Sequence, residues 1–186
     1  MKSKIILVVI MGICLLSCSN SNKNRIQEEI EHFYSQRVTL PLDSMLCITD
    51  DDSEYVKRNI ADNYKWVIYY DSSECSSCRL KALYEWESIM GDLSSSGNEI
   101  DFYFIFNVPE KRLVDIKCIL ATYARGLPIY IDTTSVFERM NPYLPRLSQM
   151  RTFMLNRKDT VVLVGNPMYN SHIKGMMWKL LGETKK

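Results

Sequence analysis

KWVIYYDSSECSSCRLKALYEWESIM, residues 65–90, decides how the rest of the chain is read. Lys65 to Tyr70 is a run of aromatic and β-branched residues, which predicts a strand buried on one face or both. Asp71 to Glu74 is a polar turn rich in helix-capping residues. Cys75-Ser76-Ser77-Cys78 then opens a segment with Leu80, Leu83, Trp86 and Ile89 or Met90 at helical spacing. Two cysteines separated by two residues therefore stand where a strand gives way to a helix. The first meets unsatisfied backbone N–H groups and the positive end of the helix dipole, and both favour thiolate over thiol. The second lies about one turn on and is placed to bridge to it, the arrangement needed for thiol–disulfide exchange.

This strand, Cys-x-x-Cys, helix pattern resembles the thioredoxin-like superfamily. Downstream, Ile100 to Phe106 is almost continuously apolar, as in a central strand covered on both faces. Pro109 is placed to begin a helix through Leu113, Ile116, Leu120 and Tyr123. Leu127 to Ile131 predicts a strand, and Ser135 to about Met140 a short helix ended by Pro142 and Pro145. Thr152 to Leu155 and Thr160 to Val164 predict a hairpin turning at Asn156 to Asp159, and Tyr169 to Leu181 a closing helix. The order β-α-β-α-β-α-β-β-α implies a three-layer α/β sandwich, a mixed sheet with helices on both faces. A minimal thioredoxin domain has one helix between the strand ending at Phe106 and the terminal hairpin. The helix, strand and helix found here resemble the extra αβ unit of membrane-associated thiol–disulfide oxidoreductases and peroxiredoxins, the redoxin branch.

Upstream, Lys2 and Lys4 precede an apolar run from Ile5 to Leu16, too short for a comfortable span and typical of a signal-peptide core. Leu15-Leu16-Ser17-Cys18 resembles the bacterial lipobox, which implies lipidation at Cys18 and a lipid-anchored protein of a Gram-negative envelope, facing the periplasm. The expected organisation is a lipoprotein signal peptide over residues 1–17, a tether and short helix over 18–36, and a thioredoxin-like domain over 37–186. In the helix Ile26, Ile30 and Phe33 form the apolar side and Glu28, Glu29 and Glu31 the wet one. Arg37 to Leu40 predicts a strand stopped by Pro41.

The formal net charge of +1, with no basic cluster interleaved with aromatics, excludes a nucleic-acid surface. Of the six cysteines, Cys14 leaves with the signal peptide, Cys18 takes the lipid, Cys47 is isolated and Cys118 reads as a small core residue. No second close pair is present for a four-cysteine zinc site, so neither metal nor cofactor is expected. His32 and His172 stand apart on exposed helix positions.

Two readings of the remaining pair stay open. In one, Cys75 attacks and Cys78 resolves in exchange with thiols or disulfides of envelope proteins. In the other, the pair is a structural disulfide in a catalytically silent, partner-binding module of an oxidising compartment. A two-residue spacer closes a very small loop and constrains little of the unfolded chain, which tells against the second. Peroxidase chemistry fits less well: in the peroxiredoxin pattern P-x-x-x-T-x-x-C, Ile68 stands at the proline and Ser72 at the threonine. Glu74, before Cys75, opposes a thiolate, whereas Arg79 favours one. Opposite the cysteines the family carries a cis-proline that shapes the groove for substrate backbone, and here that position is Arg151. Glu74, Arg151 and Thr152 are thus the candidate partner groove. Arg151 is read either as a cation beside the cysteines or as a surface residue at a loop end. With no proline to favour a cis bond, the Met150–Arg151 peptide is expected to be trans.

Overall fold

A computed structural model of the chain describes residues 23–48, 63–71, 83–123, 127 and 129–183, with side chains of 120–123 and 183 left aside. Cys18, Glu74, Cys75 and Cys78 lie outside the described residues. Within them a helix over 23–33 (α1) precedes a short strand, Leu46–Ile48 (β1). Tyr64–Tyr70 (β2) leads toward the cysteine stretch, beyond which Trp86–Ser95 (α2) continues. Ile100–Asn107 (β3), Leu113–Tyr123 (α3), Ile129–Asp132 (β4) and Val136–Met140 (α4) follow. Thr152–Leu155 (β5), Val161–Val164 (β6) and Ser171–Glu183 (α5) complete the fold.

The strands form one sheet in the order β1-β4-β3-β2-β5-β6. β2, β3 and β4 run parallel, with Ile68 opposite Phe104 and Phe106 opposite Ile131. β1, β5 and β6 each pair antiparallel to their neighbours. Strand side chains alternate between faces, so one sheet builds two cores. Trp66, Ile68, Phe104, Phe106, Ile129, Ile131 and Met154 point to the side that packs α2 and α5 through Trp86, Ile89, Leu93, Met177 and Leu181. Val67, Tyr69, Tyr103, Ile105, Tyr130 and Phe153 point to the other, where Phe33 of α1 and Phe137 of α4 cover them. This double burial is why β2 and β3 read as nearly unbroken apolar runs.

Local chemistry sets the boundaries. Pro109 fixes the entry to a single 3-10 turn, Glu110–Arg112, ahead of α3. Asn156 closes the β5–β6 hairpin: its Oδ1 accepts from the Lys158 and Thr160 N–H groups at 2.8 and 3.1 Å. Asn170 starts α5, its Oδ1 accepting from the N–H groups of His172 and Ile173 at 2.9 and 3.2 Å.

Two expectations need correction. Arg37 to Leu40 is not a strand. It contributes one antiparallel bridge, Arg37 to Thr160, and the outer strand beside β4 is Leu46–Ile48 instead. Leu46 is exposed, so β1 is specified by its pairing with Ile131 rather than by hydrophobic pattern. Cys118 is exposed rather than a core residue: α3 is apolar along most of its length, yet Ile116 takes the inward position while Val114 faces out.

Candidate functional site

In open α/β sheets, binding and chemistry gather outside the carboxyl ends of the strands. At that end of this sheet each parallel strand finishes on a polar residue. Asp71 follows β2, Asn107 ends β3 and Asp132 ends β4, with Asn107 and Asp132 in register. Cys75 comes four residues after Asp71 in the sequence, so the chain enters the cysteine stretch from this edge.

The residue that organises the edge is Arg151. Its Nη1 donates to Asp71 Oδ2 at 2.6 Å and to Glu138 Oε1 at 3.0 Å, and its Nε donates to the Pro145 carbonyl at 2.8 Å. The guanidinium carbon lies 5.6 Å from the centre of the Tyr69 ring, within reach of a cation–π contact. The Arg151 side chain is 11% exposed, against 16% for Asp71 and 38% for Glu138. Arg151 is therefore neither a surface residue at a loop end nor an uncompensated cation: two carboxylates already balance it.

The backbone of the same loop is equally engaged. No cis peptide bond occurs among the described residues, so Met150–Arg151 is trans as expected. The N–H groups of this loop, like the Arg151 guanidinium, are engaged within the fold. The Met150 N–H donates to the Leu147 carbonyl and the Arg151 N–H to the Ser148 carbonyl, both at 2.9 Å. The Arg151 carbonyl accepts from the Tyr69 N–H at 2.9 Å, extending the pairing of β2 with β5. Thr152, the other described residue of the candidate groove, is buried as the first residue of β5, opposite Ile68.

Behind the clamp lies a polar layer that sequence reasoning did not identify. Asn107 Nδ2 donates to the Tyr69 hydroxyl at 3.2 Å and to Ser135 Oγ at 2.9 Å. Burial raises the Tyr69 pKa well above the usual phenol range, outweighing the Asn107 hydrogen bond, so this hydroxyl stays protonated. Asp132 is fully buried. Its carboxylate accepts from Val136 N–H at 3.0 Å and Phe137 N–H at 2.9 Å, satisfying the first turn of α4 and so seating Glu138. The legible signal was the polar residue closing each of three apolar runs, YYD, IFN and YID.

The lone cysteines lie elsewhere. Cys47 sits on the edge strand β1, where desolvation raises its thiol pKa despite a hydrogen bond with Tyr130, leaving it a poor nucleophile at neutral pH. His32 and His172 are exposed helix residues, as read from the sequence.

Sheet order, hairpin and inserted αβ unit together define a thioredoxin-like fold. Among solved structures, a protein of Aquifex aeolicus VF5 put forward as an electron transfer protein superposes with a TM-score of 0.50 at 11% identity, over 77% of this chain and 90% of its own. A protein of Bacteroides thetaiotaomicron put forward as a protein disulfide isomerase gives 0.48 at 15% identity, over 81% and 88%. The thioredoxin domain of a thiol-disulfide oxidoreductase from Bacteroides vulgatus gives 0.47 at 11% identity, over 73% and 94%. At such identities the likeness is one of fold, and the Aquifex structure carries it. No protein-family model matches the chain, and neither does any curated protein.

Proposed function

We propose that this chain is a thiol–disulfide exchange protein of a Gram-negative envelope, anchored through lipid on Cys18 and facing the periplasm, with protein thiols or disulfides as its partners. The observation that carries the reading is one of order: a Cys-x-x-Cys pair directly follows the central strand β2 at the carboxyl edge of a thioredoxin-like sheet. In the reducing direction the Cys75 thiolate attacks a partner disulfide, forming a mixed disulfide and releasing one partner thiolate. The Cys78 thiolate then attacks Cys75 Sγ, closing the Cys75–Cys78 disulfide and releasing the second partner thiolate. Two electrons pass to the partner and each released thiolate takes up a proton; the oxidising direction is the same sequence reversed.

Cys78→Ser is expected to accumulate mixed disulfides with envelope proteins on non-reducing gels, and Cys75→Ser is not. Trapping by neither variant would sink the exchange reading. Cys18→Ala is expected to lose its acyl chains and its detergent-phase partitioning.

One observation favours the silent, partner-binding alternative. The N–H groups of Met150 and Arg151 are both engaged within their own turn, so the loop before β5 does not offer them for strand-like pairing with a substrate. The reduction potential separates the readings: a value below about −300 mV belongs to a structural disulfide.

A further inference from the structure

We propose that the groove between α1 and the loop over 142–146 seats the headgroup of an ethanolamine phospholipid, an inference that rests on the lipid-anchor reading above. The groove has a volume of about 470 Å³, the size of a small-molecule site. Arg25, Glu28, Glu29 and His32 line one wall, at the i, i+3, i+4 and i+7 spacing of a single face of α1. Tyr143 and Arg146 line the other. Two contacts hold the walls together. Glu29 Oε2 accepts from the Arg146 N–H at 3.1 Å, and the His32 and Tyr143 ring centres stand 5.5 Å apart. The groove is therefore formed before a ligand enters it.

Its lining selects the chemistry. Arg25, Glu28 and the Arg146 side chain make no hydrogen bond or ion pair among the described residues. Two guanidiniums and two carboxylates sum to no net charge, so the groove favours a group with one charge of each sign over a simple anion. The guanidiniums suit a phosphate, whose oxygens match their planar fork. Glu29 already serves the Arg146 N–H, which leaves Glu28 for a primary ammonium and its three N–H donors. A quaternary choline has no N–H to give. The tether supplies the source. Lys23, the first described residue of α1, comes five residues after Cys18, a span of at most about 18 Å even when fully extended. An acylated Cys18 thus keeps Arg25 within reach of the membrane surface. Tyr143, 52% exposed on the facing wall, is of a residue type enriched at headgroup level.

The test uses the processed, acylated chain on vesicles, with phenylglyoxal modification of arginines read by mass spectrometry. Rates are normalised to Arg157, exposed in the β5–β6 turn. On vesicles of equimolar ethanolamine and choline phospholipids, modification of Arg25 and Arg146 is expected to slow about fivefold relative to choline lipid alone. Glu28 is exposed, so Glu28→Gln folds; it is expected to bring that ratio below about twofold. A ratio near one in the parent chain, or one that Glu28→Gln leaves unchanged, overturns the proposal. So does stronger protection when an anionic glycerol headgroup replaces ethanolamine, since the groove is then a general basic surface. Free glycerophosphoethanolamine at the same headgroup concentration is expected to protect neither arginine; equal protection would assign the groove to a solute and overturn the docking of lipid. The anchor has its own readout in the mass of the Cys18 peptide. An acylated chain whose arginines ignore the headgroup keeps the anchor and loses this inference, and a chain without acyl groups loses both.

Discussion

The core face beneath α2 and the polar edge at Arg151 lie at the same three central strands and are held in opposite ways. On the core face Phe104 is fully buried, with the Trp86 ring at 6.0 Å and the Phe102 ring at 6.2 Å. Its stabilisation is the sum of many small contacts and of apolar area removed from water. At the edge, one guanidinium carries the connection, through three hydrogen bonds of which two are also ion pairs. Dispersed packing tolerates substitution in proportion to the volume removed. A concentrated charge cluster responds instead according to which partner is taken, because each member holds a different share of its contacts.

The largest expected effect tests the dispersed side. Phe104→Ala is expected to cost about 3–5 kcal/mol in urea unfolding, enough to exhaust a large part of an ordinary domain's stability. A loss under about 1 kcal/mol would mean that the face repacks, and the contrast would fail. Next, Arg151→Met is expected to cost about 1–3 kcal/mol. That is less than for a fully buried pair, because Asp71 and Glu138 retain some solvent. The smallest effect belongs to Glu138→Gln, under about 1 kcal/mol, since the more exposed partner leaves while Arg151 keeps Asp71 and the Pro145 carbonyl. If the last two came out equal, the idea of a cluster organised by its cation would have to be replaced by one of equivalent partners.

These two regions also differ in how far they can be read from the chain. β2 and β3 announce themselves because burial on both faces forces consecutive apolar residues, and the helix from Trp86 shows its spacing. The hairpin is signalled by the turn residues Asn156 to Asp159. β1 is not legible: three residues on a sheet edge, with Leu46 exposed, carry no pattern of their own. Cys118 misleads for the opposite reason, since a helix apolar nearly all round does not say which side faces the sheet. At the site, the cysteine pair is legible as a motif. Arg151 is visible only as a departure from proline, because its partners stand 80 and 13 residues away and only the folded chain brings them together.

The segment after α1 has a consequence for how the protein keeps to itself. β6, with the sequence VVLV, ends the sheet, and such an edge invites another strand to join. At its start the invitation is already taken: the Ser35 N–H donates to the Val161 carbonyl at 3.0 Å, and the Val161 N–H to the Gln36 carbonyl at 2.9 Å. Two residues further back, in the turn, the Val38 N–H reaches the Asp159 carbonyl at 2.8 Å. A stretch too irregular to count as a strand thus occupies the place a neighbouring molecule would use. The left-handed Ser35, at a φ of 67°, is the bend that brings it there. Cover at this edge is accordingly a property of residues 35–38, although none of them lies in a strand.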